Sequence, residues 1–371
     1  MTVRVGIMGT GWIAQEHAIA LAAIPQAELV GVSSATPGRA ERFATNHRIP
    51  RHLTHEELVA SEEIDAVHIC TRNFQHHDQC LAAMRAGKHV VAEKPLALSV
   101  KESQSLLDAS APRDRVRACN YNYRAYPAVQ EARRIIESGE LGEIYLVHGT
   151  YLQDWLLLRT DYNWRLDAAQ SGNSSAMADI GTHLFDLVEH VTGAHVESIQ
   201  ASLRTTLPER LEQTANGSVK HRITGDDCAT ISFKLATGAL GSLVVSQVSA
   251  GRKNHLSFEI SGAGGSLFWS QEDPELLWIG RREGGDSIRV RNQAMAPDEF
   301  LPPGHPFGWR DALRRNLRSV YAAIDGKAPA LPFATFADGH RSLVLLEAAL
   351  ASSSADARVS VRADGHIVMG R

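Results

Sequence analysis

The chain has 371 residues, 44% of them hydrophobic and 22% charged, with a formal net charge of −4. That length exceeds what one hydrophobic core ordinarily organises, so two domains are expected, and the charge supplies no basic field for nucleic acid or an anionic membrane. Four widely separated cysteines (Cys70, Cys80, Cys119, Cys228) read as reduced thiols, no hydrophobic run is long enough to span a bilayer, and a first strand at Val3 leaves no room for a leader, so a cytoplasmic location is expected.

Val3, Val5 and Ile7 alternate with Arg4, Gly6 and Met8 as a short strand. Gly9-Thr10-Gly11-Trp12-Ile13-Ala14 follows at once, and Ile13, Ile19, Leu21 and Ile24 carry an apolar-periodic helix that ends at Pro25. Strand, glycine turn and helix is the context that makes GxGxxA a dinucleotide site and not a mere connection. Gly9 permits the tight turn, Gly11 lets the backbone approach a pyrophosphate, and Ala14 lets helix and strand pack closely. The helix N-terminus offers free N–H groups to that anion.

Strands are predicted at Glu28 to Ser33, Asp65 to Cys70, His89 to Ala92 and Val116 to Cys119, with helices at Arg39 to Asn46 and Phe74 to Ala86. This alternation predicts a parallel sheet with helices on both faces, followed by a boundary between 122 and 123. Beyond it come helices at Pro127 to Ser138 and Ala178 to Thr192, and a long strand at Glu143 to Gln153. Strands then cluster at Ser198 to Thr205, Cys228 to Leu235, Leu240 to Val248 and Leu256 to Ser261, with a hairpin turn at Ala236 to Gly238. Helices near Trp309 to Ile324 and Phe336 to Ser352 close the chain. The predicted fold is therefore α/β over 1–122 and α+β, with a mostly antiparallel open-faced sheet, over 123–371. Val244, Val248, Phe258 and Ile260 are expected on that open face, which a second copy of the chain would cover in a homodimer or homotetramer.

Three stretches carry chemistry. Ala92-Glu93-Lys94-Pro95-Leu96 lies at the C-terminal end of a predicted parallel strand, the edge where open α/β sheets bind ligands. A lysine there is placed to meet a substrate hydroxyl. Asp179-Ile180-Gly181-Thr182-His183 sets a carboxylate and an imidazole four residues apart on one helix face. Taken alone the pair reads as a capping carboxylate with an i,i+4 surface imidazole; the functional alternative is that the imidazole, which titrates near physiological pH, exchanges a proton with an alcohol while Asp179 binds a hydroxyl or orients the ring. Tyr151, Gln153, Asp154, Trp155, Asn163, Trp164 and Arg165 gather stacking faces and hydrogen-bonding groups suited to a polyhydroxylated ring, or else to packing between domains. The 17 histidines show no metal-ligand spacing, so no metal is expected.

In this order, Gly9 to Ala14, Thr71-Arg72-Asn73 with His76, Gly87 to Pro95 and Asp179 to Asp186 resemble the Gfo/Idh/MocA family. Tyr123 to Pro127 is similar to that family's domain-junction segment, and Asn163-Trp164-Arg165 to its cofactor-facing loop. The resemblance spans nearly the whole chain and implies a Rossmann domain followed by an open-faced sheet domain. It implies Lys94 as the catalytic lysine, His183 as the proton-transferring residue and Asp179 as its substrate-binding or orienting partner. It further implies cofactor contacts at Gly9, Thr10, Gly11, Trp12, Ile13, Ser34, Arg39, Thr71, Asn73, His76, Glu93, Lys94, Trp164 and Arg165. Substrate contacts are implied at Lys94, Asn122, Tyr151, Gln153, Asp154, Arg165, Asp179 and His183. The activity implied is NAD(P)-dependent hydride transfer at a carbinol of a sugar, glycoside or polyol. A tightly bound, internally recycled NAD(H) and a non-catalytic dinucleotide-binding regulator are the alternatives. Arg72 stands where many relatives carry proline. Ser34 stands where NAD-preferring relatives often carry an acid, and Arg39, if not simply solvated, is available to a 2′-phosphate. The cofactor expectation is therefore NAD(P) with a lean to NADP.

Overall fold

In the computed structural model, which describes residues 2–109, 114–299, 301–362 and 365–369, the first strand β1 (Val3–Met8) is the centre of a six-stranded parallel sheet. Its companions are β2 (Ala27–Ser33), β3 (Arg51–Leu53), β4 (Ala66–Ile69), β5 (His89–Ala92) and β6 (Arg117–Cys119), in the order β3-β2-β1-β4-β5-β6. Every residue of β4 and β5 is buried, as expected of strands covered on both faces. The strand order reverses between β1 and β4, and such a switch point opens a crevice at the C-terminal strand ends. Gly9, Thr71, Lys94 and Asn122 all follow such ends.

The chain forms two compact units, Met1–Ala125 with Gly308–His340, and Tyr126–Phe307 with Arg341–Arg371. This differs from the single break expected between 122 and 123. The physical reason lies in the helix Trp309–Ile324, which contributes Leu313, Leu317, Val320 and Tyr321 to the same hydrophobic core as Val5, Ile7 and Leu21.

The second unit is built on a ten-stranded sheet. Its strands are β7 (Ile144–Leu152) and β8 (Val196–Arg204), then β11 (Cys228–Leu235), β12 (Leu240–Ser246), β13 (His255–Gly262), β14 (Gly265–Ser270), β15 (Leu276–Gly280), β16 (Ser287–Val290), β17 (Val359–Val361) and β18 (Ile367–Met369). A separate hairpin is made by β9 (Glu209–Thr214) and β10 (Gly217–Arg222). The sheet order is β16-β15-β14-β13-β7-β12-β11-β8-β17-β18, with β7–β12 parallel and the other pairings antiparallel. Where β17 stops short of β8, the hydroxyls of Ser352 and Ser353 accept from the N–H groups of Ala201 and Leu203, both at 2.9 Å.

Alternation divides the sheet into a covered and an open face. Ile231, Phe233, Leu243 and Val245 are buried, while Leu146, Leu240 and Val244 are exposed. The expectation for the open face needs correction at three positions. Phe258 and Ile260 point to the covered side, because Phe258 pairs with Gly149, a position packed against Leu184. Val248 lies beyond the end of β12 and is half-buried.

Candidate functional site

The glycine turn of the first unit has the geometry a dinucleotide requires. Gly9 has φ +109°, and a Cβ there would stand 2.4 Å from the carbonyl oxygen of Cys70. Only glycine fits. A Cβ on Gly11 would meet nothing within 4 Å, so the backbone is open to an approaching ligand. Gly11 is also the N-cap of helix Trp12–Ala22 and supplies no side-chain acceptor, which leaves the first N–H groups for an anion. These residues fit a bound pyrophosphate. Trp12 is 64% exposed and its ring sits 5.2 Å from that of Trp309, while Ile13 is half-buried. The Thr10 hydroxyl donates to Ser34 Oγ at 3.3 Å, so the turn and the end of β2 are adjacent. Arg39 is exposed at the start of its helix.

The loops after β4 and β5 are tied together. His76 donates through Nδ1 to the carbonyl of Pro95 at 2.8 Å, and its Nε2 lies 3.2 Å from the carbonyl of Thr71. Burial lowers the pKa of His76, which favours the neutral ring. The Thr71 hydroxyl donates to Gln79 at 2.6 Å, and Asn73 is buried at the first turn of helix Asn73–Arg85. Lys94 is half-buried at a cis Lys94–Pro95 peptide. Glu93 is buried, with Oε1 accepting from His17 at 2.9 Å and from Asn120 at 2.5 Å. Burial alone would raise the Glu93 pKa, but His17, Asn120 and the Lys94 charge outweigh it and hold the carboxyl below its ordinary range. Asn122 is 2% exposed, and its Nδ2 has no hydrogen-bond partner among the described residues. A buried amide donor left unsatisfied is costly, and a bound ligand with an acceptor would relieve it.

In the second unit, Asp179 lies in a π turn, Met177–Gly181, that runs into the α-helix Thr182–Thr192 carrying His183. The turn arises because Thr182 N–H bonds to the carbonyl of Met177, five residues back, while the Thr182 hydroxyl takes the Ala178 carbonyl at 3.0 Å. The helix start is capped by Asp226, which accepts from Ser174 Oγ at 2.6 Å and from the N–H groups of Ser175 and Met177 at 3.0 and 2.8 Å. Burial raises the Asp226 carboxyl, and those three donors oppose the rise.

The Asp179 carboxylate is held from two directions, Oδ1 by Arg165 Nε at 3.2 Å and Oδ2 by Gln247 Nε2 at 2.8 Å. Arg165 stacks over Trp164, with its Cζ 4.6 Å from the ring centroid, and Asn163 Oδ1 accepts from Arg165 N–H. His183 is buried, and its ring centroid lies 6.3 Å from that of Tyr151. The Tyr151 hydroxyl and Gln153 Nε2 both donate to Asn254 Oδ1 at 2.8 Å. Gln247 Nε2 also lies 3.5 Å from Gln153 Oε1, which joins Tyr151, Gln153 and Asn254 to Asp179 and Arg165. Asp154 does not join this group. Its Oδ2 accepts from Lys253 Nζ at 2.7 Å and Gly251 N–H at 3.0 Å, and the Lys253 hydrogen bond lowers its carboxyl.

Sequence reasoning passed over Gln247, Asn254 and Arg210. Arg210 is fully buried and binds the carbonyls of Leu156 and Leu158 at 2.5 and 2.8 Å and Asp227 at 2.7 Å. It ties the loop after β7 to the β9–β10 hairpin. Gln247 falls near the end of the predicted strand Leu240 to Val248 and Asn254 just before the one at Leu256 to Ser261, and a lone amide there carries no motif. Among the described residues no group of three or more His, Cys, Asp or Glu side chains could hold a metal, and no helix is long and apolar enough to cross a membrane.

Comparison with known proteins covers nearly all of the chain. A family model described as "Oxidoreductase family, NAD-binding Rossmann fold" matches residues 3–121, and one described as "GFO/IDH/MocA C-terminal domain" matches residues 129–268. Levoglucosan dehydrogenase of Pseudarthrobacter phenanthrenivorans is 28% identical, with 97% of this chain and 98% of that protein aligned. Glucose-6-phosphate 3-dehydrogenase of Bacillus subtilis is also 28% identical, over 97% and 99% of the two chains. A solved structure of levoglucosan dehydrogenase in complex with NADH and L-sorbose superposes with a TM-score of 0.91 at 28% identity, covering 98% of this chain and 100% of the other. With a dinucleotide turn in its first unit, an Asp–His helix in its second and both family models matched in order, the chain belongs to the Gfo/Idh/MocA family of NAD-binding oxidoreductases.

Proposed function

We propose that the protein oxidises a carbinol carbon of a sugar, glycoside or polyol with NAD(P). The observation that carries this reading is the hydroxyl-binding set around Asp179, a carboxylate oriented by Arg165 and Gln247 beside Tyr151, Gln153 and Asn254. The relatives' names point the same way, since they act on levoglucosan, glucose 6-phosphate and inositol. When bound, the nicotinamide supplies the hydride acceptor. His183 accepts the hydroxyl proton, Lys94 holds and polarises that oxygen, and Asp179 binds a neighbouring hydroxyl or fixes the His183 ring. Asn122 supplies a donor to the substrate.

The protein accepts both cofactors, with NADP modestly favoured. The support is a hydroxyl at Ser34 in place of a carboxylate and an exposed Arg39 at the same strand end. It assembles as a homodimer or homotetramer through the open sheet face, where Leu146 pairs with Leu240 and both are exposed. We place it in the cytoplasm, a reading that rests on thiols spaced far apart, of which Cys70 and Cys80 are pushed up by burial and so held unreactive. The test is a panel of levoglucosan, glucose 6-phosphate, inositol and common monosaccharides, followed at the nicotinamide absorbance with each cofactor. Reduction of NAD or NADP by at least one member is expected. No reduction by any sugar or polyol, with NADH bound normally, would overturn the reading.

A further inference from the structure

The first unit contains a buried polar chain that the proposed chemistry does not use. Its members are His17 on helix Trp12–Ala22, His68 on β4, Glu93 after β5 and Tyr321 on helix Trp309–Ile324, all buried. The Tyr321 hydroxyl lies 2.9 Å from His68 Nε2, and the two histidines meet Nδ1 to Nδ1 at 2.7 Å. His17 Nε2 then lies 2.9 Å from Glu93 Oε1, the oxygen that also accepts from Asn120 Nδ2 at 2.5 Å.

Buried polar groups are tolerated when each donor finds an acceptor, and this requirement assigns the hydrogens. The Tyr321 O–H has one acceptor among the described residues, His68 Nε2, so that nitrogen carries no hydrogen. His68 therefore carries its hydrogen on Nδ1 and donates it to His17 Nδ1. His17 carries its hydrogen on Nε2 and donates it to Glu93. Every hydrogen bond points toward one carboxylate. The reverse arrangement strands the tyrosine hydrogen in the core. Burial depresses the His68 pKa strongly, which keeps that ring neutral as the assignment needs.

We propose that this one-way chain positions the turn Glu93–Lys94–Pro95, with His17 and Tyr321 acting as positioning residues for Lys94. The geometry grips the turn on both sides of the lysine. Glu93 is held by His17 and Asn120, and the carbonyl of Pro95 by His76. His68 and Tyr321 in turn fix the ring orientation of His17. The chain ends on a fully buried tyrosine, so it holds a direction and does not conduct protons to solvent.

The proposal rests on Lys94 being catalytic; two variants of His17 test the positioning, and the tautomer of His68 is read independently of that reading. His17→Gln retains a donor for Glu93 and an acceptor for His68, whereas His17→Leu retains neither. His17→Leu is expected to lose at least ~30-fold in kcat on the best sugar of the panel while KM and the NADH dissociation constant stay within about threefold, and His17→Gln to recover to within about fivefold of wild type. Nitrogen NMR of histidine-labelled protein is expected to show His68 as the Nδ1–H tautomer. The proposal is overturned by an Nε2–H tautomer at His68, by His17→Leu retaining more than about half of kcat, or by His17→Gln being as impaired as His17→Leu. Should His17→Leu fail to fold, Tyr321→Phe removes only the first donor and is expected to lower kcat about three- to tenfold with NADH binding intact; an unchanged kcat there overturns the proposal. Full turnover in Lys94→Ala would defeat the catalytic reading alone and leave the tautomer assignment standing.

Discussion

Gln247→Leu removes the amide that donates to the Asp179 carboxylate and changes side-chain volume little. Gln247 is 1% exposed, and its Nε2 donates to Asp179 Oδ2 at 2.8 Å, leaving Arg165 Nε at 3.2 Å on the other oxygen. A hydrogen bond to a charged group contributes about 1.5–3 kcal/mol. The Asp179 side chain is 16% exposed, so water partly replaces the lost donor and the lower part of that range applies. About 1.5–2 kcal/mol corresponds to roughly a 10- to 30-fold loss in kcat/KM. Steady-state kinetics on the best sugar of the panel measures it, with NADH binding and the melting temperature as controls for folding. If Asp179 binds or orients in the reaction, the loss falls on the sugar and not on NADH. A folded Gln247→Leu protein within about threefold of wild type would refute the role given to the Asp179 carboxylate.

Ser34→Asp places a carboxylate where a 2′-phosphate would lie and is expected to weaken NADP about tenfold or more while NAD is retained, read by titrating both cofactors. Glu93 has a depressed folded-state pKa, so its carboxylate contributes stability above the ordinary range near 4.5 that is lost as pH falls through the lower folded value. The difference in melting temperature between wild type and Glu93→Gln should therefore be widest at about pH 7 and narrow below about pH 4.5, and a difference independent of pH would show that Glu93 is not held ionised. Leu240→Glu places a charge beside Leu146 on the open sheet face and should convert the proposed oligomer to monomers in light scattering.

The parts of the molecule legible in the sequence are those with strong local physics. The buried runs of β1, β4 and β5, the glycine turn at Gly9 and Gly11, and the hairpin at Gly238 follow from periodicity and from backbone conformations that few residues adopt. Helices His55–Ala60 and Val100–Asp108 were passed over although Thr54 with Glu57 and Ser99 with Glu102 are readable capping pairs. The β9–β10 hairpin went unseen because its residues are mostly polar and exposed, which leaves no alternation to detect. The division of units could not be read from order along the chain, since Leu313 and Tyr321 return to a core begun at Val5. At the site, Asp179 and His183 were visible as a pair, but the π turn beneath them depends on a hydrogen bond between Thr182 and Met177 that spacing alone does not reveal. Asn254 and Gln247 were invisible for a related reason. Their partners lie about a hundred and about seventy residues away in sequence, at Gln153 and Asp179.

Lys94 and His183 are proposed to perform the chemistry of a nicotinamide-dependent carbinol dehydrogenase. Turnover and NADH affinity measured side by side for Lys94→Ala and His183→Ala test it most directly. Each variant is expected to lose at least ~100-fold in turnover while binding NADH within about threefold of wild type. Either variant retaining more than about half of wild-type turnover would contradict it.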